Sequence, residues 1–338
     1  MEKRREVAGM RIFHGKLEIA GQMGIMCGEL KKRGHLATGY NTFHTYLGYR
    51  DHLINTTIEE LVNTSHHLIN FYDVFHFHYA TSLLDGYKDL EIIKSKGKKM
   101  VMHHWGNDVR FHEQARENNP YVFTGDSPPN EVIDSRLTEI TRYVDEAIVQ
   151  DYEVYTYVEP YYKKVHVIPI SIDLAPFTPA YPSGKVRRPL IVHAPTQQDF
   201  KGTVAIEAAI QELQKSYDFE YMRIEKMNHE QAVEMYRAAD LVVDQIRCGS
   251  YGLLSVEAMA LGKPVITYIR SDLVEKFPSE LPIMNANPDN IITAIQVFLE
   301  NPSLYEELGR RGRSYAEKYH AKEVVVDQLE QVYANLRP

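Results

Sequence analysis

Short apolar runs alternate with longer amphipathic stretches along most of the chain. A short apolar run between turn residues is typical of a buried strand, whereas apolar positions three or four residues apart are typical of a helix. The first half therefore predicts a helix ending at Gly34, further helices at 83–95 and 131–143, and strands at residues 10–14, 73–78, 99–103, 146–150 and 165–169. Strands that alternate with helices in this way predict parallel βαβ units.

A proline-rich stretch at residues 175–188 interrupts this alternation. Such clusters of proline and glycine mark loops, so we interpret this stretch as a linker between two domains. The alternation then restarts, with predicted strands at 189–194, 219–224, 241–245 and 264–269. The predicted helices of this second half cover residues 203–216, 228–238, 253–261, 289–300 and 302–320, with a final amphipathic segment at 322–336.

The predicted fold class is thus α/β, with two Rossmann-like, doubly wound domains and a cleft between them. The N-terminal domain is expected at residues 10–174, the C-terminal domain at 189–320, and a last helix at 321–338. In open sheets of this kind, ligands bind outside the carboxyl ends of the strands. The loops that follow the strands are therefore where we look for chemistry.

Composition narrows the class of protein. Of 338 residues, 44% are hydrophobic and 25% are charged, and the net charge is -8, so a general basic field for nucleic acid is absent. The two cysteines, Cys27 and Cys248, lack the spacing of a disulfide framework or a metal site. No run approaches the roughly 20 apolar residues of a membrane span. These features predict a cytoplasmic protein, for which Lys3, Arg4 and Arg5 could give weak peripheral contact with an anionic membrane.

The loop before the predicted helix at 253–261 has the features of a nucleotide site. Gly249 and Gly252 lie just before the helix, where backbone N–H groups can approach a diphosphate. Glu257 lies one turn into that helix, and a carboxylate there can accept hydrogen bonds from two ribose hydroxyls. The plainer alternative is a tight turn followed by a glutamate that the helix dipole favours.

Several segments of the chain resemble, in the same order, the motifs of glycosyltransferase family 4. The segment EAMALGKPVI, preceded by YGLLSV, resembles the donor signature of that family and is the most specific of them. The other matches are IAGQMG at 19–24, HHWGND at 103–108, VIPISID at 167–173 and DFKG at 199–202. The family has a two-domain GT-B fold, which implies that the C-terminal segment returns to the N-domain.

The resemblance implies retaining transfer from a nucleotide-sugar without a metal or other cofactor. On this basis, Lys201 would bind the donor diphosphate and stabilise the charge that develops as it leaves. Glu257 would hold the ribose. The remaining residues expected to bind the donor are Arg247, Gly249, Ser250, Gly252, Leu253 and Leu254.

On the N-domain side, the resemblance implies an acceptor loop containing Gly21, Gln22 and Gly24, and a second loop containing His104 and Asp108. His104 would donate a hydrogen bond to the transferred sugar. Aligning on Gly106 and Asp108 instead places Trp105 at the histidine position of the family. Asp108 could also form a purely structural pair with Arg110.

The chain departs from the family pattern at two positions. Gly249 stands where the first glutamate of the Glu-x7-Glu pattern belongs, and the arginine that precedes Lys-Gly is missing. Arg247 could supply the missing charge, and Asp244 with Gln245 could replace the missing sugar contact.

Other chemistries have weaker support in the sequence. A Gly-x-Ser-x-Gly elbow, a His-Glu-x-x-His pair and a Gly-x-Gly-x-x-Gly fingerprint are all absent from the sequence. Two alternatives to a transferase keep the same fold: a catalytically silent module that binds a sugar or a nucleotide, and a sugar-nucleotide epimerase. The donor is expected to be a UDP- or GDP-sugar. The acceptor (a saccharide, a small molecule, a protein or a lipid-linked glycan) and the oligomeric state are left open.

Overall fold

A computed structural model describes residues 9–45 and 47–338, so Lys3, Arg4 and Arg5 lie outside the described residues. Within this part, the chain forms two α/β domains, each built on a parallel sheet with helices on both faces. The predicted fold class is confirmed.

The sheet of the N-domain has seven parallel strands among the described residues, in the order β3-β2-β1-β4-β5-β6-β7. The strands β1 to β3 follow one another towards one edge of the sheet, and the strands β4 to β7 follow one another towards the other edge. The strand order therefore reverses between the two central strands β1 and β4. The strands are β1 (Arg11–Lys16), β2 (Leu36–Asn41), β3 (Leu53–Asn55), β4 (Val74–His78), β5 (Lys99–His104), β6 (Glu146–Val149) and β7 (Lys164–Val167).

The helices of the N-domain connect these strands and cover both faces of the sheet. Local sequence fixes two of their starts: Thr57 and Glu60 form a capping box, and Asp151 accepts a hydrogen bond from the N–H of Val154. The helices are α1 (Gln22–Lys32), α2 (Ile58–Phe71), α3 (Lys88–Ser95), α4 (His112–Asn118), α5 (Asn130–Thr141) and α6 (Tyr152–Val158).

In the described part of the C-domain, five parallel strands follow the order β12-β11-β10-β8-β9. The order again reverses between two central strands, here β8 and β10. The strands are β8 (Leu190–His193), β9 (Glu220–Arg223), β10 (Leu241–Val243), β11 (Val265–Thr267) and β12 (Ile283–Asn285). The helices are α7 (Gln198–Lys201), α8 (Thr203–Leu213), α9 (His229–Ala238), α10 (Leu253–Ala260), α11 (Ile291–Glu300) and α12 (Leu304–Tyr319).

The chain crosses between the domains twice, and the two crossings lie side by side. Ile170 and Ile172, which follow β7, already pack in the C-domain core. The N–H of Lys322 donates to the carbonyl of Ile172, where the chain returns. The proline-rich segment predicted as the linker lies instead along the C-domain, where Arg237 donates to the carbonyls of Pro176 and Thr178.

The last helix, α13 (Lys322–Asn335), packs on the N-domain. Its apolar face joins the core formed by β1, β4, β5 and α1, through Val325, Val326, Leu329, Val332 and Tyr333. The N-domain is therefore completed by the C-terminal end of the chain. None of the helices in the described residues is long and apolar enough to cross a membrane.

Candidate active site

A cleft of about 660 Å³ lies between the two domains. Both domains supply its walls from loops at the carboxyl ends of their central strands, the position where parallel α/β sheets bind ligands. The N-domain contributes Glu18, Gln22, Tyr79, Trp105, Arg110 and Asp126, among others. The C-domain contributes Thr196, Gln197, Phe200, Lys201, Gln245, Cys248, Gly252 and Leu253.

Lys201 is held at the C-domain wall of the cleft by two residues that follow β10. Its Nζ lies 2.6 Å from Oδ1 of Asp244 and 2.9 Å from Oε1 of Gln245. Asp244 is fully buried, and its Oδ2 accepts from both the N–H and the hydroxyl of Ser255. Burial alone would raise the pKa of Asp244, but Lys201 and Ser255 outweigh burial and lower that pKa. The pair fixes one ammonium group at the cleft.

The N-terminus of α10 lies beside this ammonium. Gly252 and Leu253 line the cleft, and Gly252 at the N-cap has no side chain to cap the helix, while Asp244 accepts from the N–H of Ser255 in the first turn. A Cβ placed on Gly252 would lie 3.1 Å from Oε1 of Gln245, the same oxygen that accepts from Lys201. A lysine cation and the positive end of a helix dipole therefore converge on one wall, an arrangement suited to an anion.

Gly249 and Ser250, predicted to bind the donor, instead contact the N-domain. Gly249 has a φ of +92°, and a Cβ there would lie 2.6 Å from Cγ of Arg270 in the C-domain and 3.2 Å from Nδ2 of Asn119 in the N-domain. The hydroxyl of Ser250 donates to Oδ2 of Asp151 at 2.7 Å across the domain boundary. A side chain at the position of the missing family glutamate would therefore be strained and would have to displace Arg270.

Glu257, the predicted ribose ligand, is buried in α10 and paired with a residue that the sequence analysis did not identify. Its Oε1 lies 2.5 Å from Nε2 of His229, the first residue of α9. Burial alone would lower the pKa of His229, but the hydrogen bond to Glu257 and its charge outweigh burial and raise it. The ring of His229 also lies 5.1 Å from that of Tyr49 in the N-domain. A ribose at Glu257 would therefore share the carboxylate with His229.

Arg247 does not supply the missing family arginine in this structure. Its Nε donates to the carbonyl of Tyr121 at 2.6 Å, and its Nη1 donates to the carbonyl of Asp199 at 2.9 Å. These contacts join a loop of each domain. Among the described residues, Arg50 and Arg110 are the arginines that line the cleft, and Arg110 makes two hydrogen bonds of 2.8 Å to the carboxylate of Glu153.

Hydrogen bonds made by its own polar groups hold the predicted acceptor loop in place. The side-chain amide of Gln22 accepts from the N–H of Ser171 and donates to its carbonyl, so Gln22 fastens the loop to the crossing segment. The N–H of Gly24 donates to Oε2 of Glu18 at 2.9 Å. Burial raises the pKa of Glu18 to about 7 although hydrogen bonds from α1 oppose this shift. Gly21, with a φ of +77°, packs against the ring of Tyr49.

His104 does not reach the cleft, so its predicted contact with a sugar is not supported by this geometry. It is fully buried, with Nδ1 at 2.7 Å from Oδ2 of Asp108 and Nε2 at 2.8 Å from the hydroxyl of Tyr162. Asp108 also accepts from the N–H groups of Trp105 and Gly106, so it does not pair with an arginine. Trp105 and Asn107 are the residues of this loop that line the cleft.

Polar contacts join the two domains next to Cys248, which lines the cleft. The side-chain nitrogen of Asn119 donates to the carbonyls of Arg247 and Cys248, at 2.7 and 3.1 Å. Burial and the charge of Glu153 raise the pKa of Asp151, the partner of Ser250, to about 6. These contacts hold the domains together beside Lys201.

Comparison with known proteins agrees with this architecture. Residues 207–315, which run from α8 into α12, match the family described as "Glycosyl transferases group 1". No curated protein matches the chain in sequence.

Solved structures with the same fold align with nearly the whole chain at low sequence identity. A sucrose-phosphate synthase from Thermosynechococcus elongatus is 16% identical, with a TM-score of 0.64 over 96% of this chain and 98% of the other. A glycosyltransferase from Rickettsia africae is 13% identical, with a TM-score of 0.69 over 96% and 98%. HepE of Anabaena, solved with UDP and glucose, is 13% identical, with a TM-score of 0.67 over 97% and 100%.

The shared fold and the family match lead to the same class of protein. The two facing sheets, the returning C-terminal helix and the cleft between them are those of a GT-B protein. The chain is therefore a glycosyltransferase with the GT-B fold, and its residues 207–315 match the family of the group 1 glycosyl transferases.

Proposed function

We propose that this glycosyltransferase binds a UDP- or GDP-activated hexose on the C-domain wall of the cleft and transfers the hexose, with retention, to an acceptor that enters from the N-domain side. The observation that carries the proposal is the Lys201 ammonium beside the N-terminus of α10. Both groups face the space in which a diphosphate would lie.

A diphosphate gains negative charge as the bond to the sugar breaks. Preorganised positive groups stabilise that charge in the transition state more than in the ground state. Lys201 is preorganised because Asp244 and Gln245 hold it, and the N–H groups of Leu253 and Leu254 are fixed by the helix. These groups can supply the charge stabilisation that a metal ion would otherwise provide.

The carboxylates near the cleft support transfer without a metal. Asp244 is engaged by Lys201 and Ser255, and Glu18 is engaged by N–H groups of α1. Asp126 is the exposed carboxylate among the residues that line the cleft. An inverting reaction would need a general base at the acceptor, and Asp126 is the candidate for that role.

A UDP-sugar is the first donor to test. HepE, which shares the fold, has been solved with UDP-glucose as well as with UDP. The family resemblance supports retention and leaves both UDP and GDP as leaving groups.

Mass spectrometry of reactions with a pool of UDP- and GDP-sugars and a panel of saccharide acceptors tests the proposal. Free nucleotide together with glycosylated acceptor supports a transferase. A converted nucleotide-sugar would indicate an epimerase, and binding without turnover would indicate a silent module. NMR of the product should show the anomeric configuration of the donor, and EDTA should leave the rate unchanged. Loss of transfer in EDTA, or an inverted product that requires Asp126, would contradict the proposed mechanism.

A further inference from the structure

Four histidines lie together behind the N-domain wall of the cleft. His14 on β1, His76 and His78 on β4, and His103 on β5 share one face of the sheet, in a core otherwise formed by apolar side chains of the sheet, α1 and α13. All four are buried, and His103 stacks on Trp105 with ring centroids 3.9 Å apart. Neutral imidazoles in an apolar core need hydrogen-bond partners, since unpaired buried polar groups are costly.

The rings of this cluster are poorly arranged to hold a metal ion. One nitrogen from each of His14, His76 and His78 lies within 4.8 Å of the other two. However, the rings of His76 and His78 are stacked 4.4 Å apart at an angle of 5°, and that of His14 is tilted by only 29° and 33° from them. A nitrogen lone pair lies in the plane of its ring, so lone pairs of stacked, nearly parallel rings do not converge on one ion.

The same nitrogens form a chain of hydrogen bonds whose direction is fixed at the cleft. The indole Nε1–H of Trp105 can only donate, and it lies 3.3 Å from Nδ1 of His78. A neutral His78 must therefore carry its proton on Nε2, which lies 3.1 Å from Nδ1 of His14. His14 in turn carries its proton on Nε2.

The chain of hydrogen bonds then passes through the C-terminal helix. Nε2 of His14 lies 3.1 Å from the hydroxyl of Tyr333 on α13, which lies 2.6 Å from Nδ1 of His76. Nε2 of His76 lies 3.2 Å from Nδ1 of His103. Nε2 of His103 is left with no partner among residues 9–45 and 47–338. Each link has one donor and one acceptor only when all four histidines are neutral and protonated on Nε2.

The electrostatic environment agrees with neutral rings. Burial lowers the pKa of His14 to about 3. Burial and the neighbouring histidines lower the pKa values of His76, His78 and His103 well below the usual range. An added proton would place two N–H groups against each other.

We propose that Trp105 is the wall of the cleft on which a sugar ring lies, and that His78, His14 and Tyr333 are positioning residues that hold the indole there. The proposal rests on the proposed function of the cleft. Because the indole N–H points inward to His78, the part of Trp105 that faces the cleft is apolar carbon. One face of a sugar ring carries C–H groups, which pack on such a surface, while its hydroxyls remain free for polar partners.

The chain of hydrogen bonds can be tested without any substrate, because Trp105 is the only tryptophan of the sequence. NMR of protein labelled with ¹⁵N at histidine and tryptophan should show His14, His76, His78 and His103 in the Nε2–H form at neutral pH. The single indole N–H should exchange slowly. Tyr333→Phe removes one link and should shift the indole signal, whereas Tyr305→Phe, at a buried tyrosine of the C-domain, should not. An Nδ1–H form of His78, or zinc binding that moves the histidine signals, would refute the proposed chain of hydrogen bonds.

Transfer kinetics test the role of the wall. We expect Tyr333→Phe to raise the KM for the sugar substrate roughly tenfold through a displaced indole, with smaller effects on kcat and on UDP affinity. Trp105→Phe should keep part of the sugar affinity, and Trp105→Ala should lose it. An unchanged KM in Tyr333→Phe with a shifted indole signal would refute the positioning role. If the wild-type protein transfers no sugar, the proposed function fails, while the NMR result still shows whether the chain of hydrogen bonds is present.

Discussion

Replacing Lys201 by methionine removes one partner of a buried ion pair, and we expect the change to destabilise the C-domain as well as to slow transfer. Asp244 is fully buried, and its Oδ1 lies 2.6 Å from the ammonium. An uncompensated charge at such a site costs about 3–5 kcal/mol. Because domains are stable by only about 5–15 kcal/mol, the single variant would lose a large share of its stability.

The double variant Lys201→Met/Asp244→Asn removes both charges and keeps similar volumes. The asparagine oxygen can still accept from Ser255, so most of the lost stability should return. We expect the free energies of unfolding of the two single variants and the double variant to reveal a coupling of about 2–4 kcal/mol. Lys201→Arg keeps a cation beside Asp244 and is the matched control.

Hydrogen exchange of peptides from α7 and α10 during urea titration measures this coupling in the C-domain, since the single tryptophan lies in the N-domain. Transfer is then compared at a temperature where every variant is folded. The double variant should lose about 100-fold or more in kcat, because the charge on the leaving diphosphate is no longer met. Additive stability losses would refute the buried pair, and full turnover in the double variant would refute the role of Lys201 at the leaving group.

Three further changes have defined outcomes. Asp151→Asn should stabilise the protein by up to about 3 kcal/mol above pH 6, because the raised pKa means that folding penalises the ionised carboxyl; the gain should vanish as the pH falls towards 4, and urea titrations at several pH values measure it. Gly249→Glu restores the family residue, but it should lower the free energy of unfolding by about 2 kcal/mol, because of the positive φ and the clash with Arg270, and it should not raise activity. An active, stable variant would contradict this. His104→Ala should lower the thermal midpoint because Asp108 and Tyr162 lose a buried partner; an unchanged midpoint with slow transfer would return His104 to the site.

The sequence alone determined the fold class, because the fold class follows from patterns within short segments of the chain. Apolar periodicity and turn residues predicted the alternation of strands and helices in both halves, and the motif around Lys201 and Gly252 marked the wall that lines the cleft. The segment of β2, β3 and α2 was missed. Its strands, LATGYN and LIN, are short or carry polar and glycine residues, so they show no apolar run.

Only the tertiary structure decided which residues face the cleft. His104 was expected to contact the sugar, but β5 buries it beside Tyr162, whereas Trp105 lines the cleft. Ser250 and Arg247 were expected at the donor and instead join the two domains. A local motif cannot show which of its polar groups a second domain will use.

The hydrogen-bond chain behind Trp105 shows the same limit most directly. Tyr333 lies 257 residues from His76 and 319 from His14 in sequence, yet its hydroxyl contacts both rings. Periodicity reports on neighbours within one element, whereas this contact exists because the chain crosses back and α13 packs on the N-domain. The sequence by itself therefore determined the elements and one wall of the cleft, and the packing of distant elements determined the other wall.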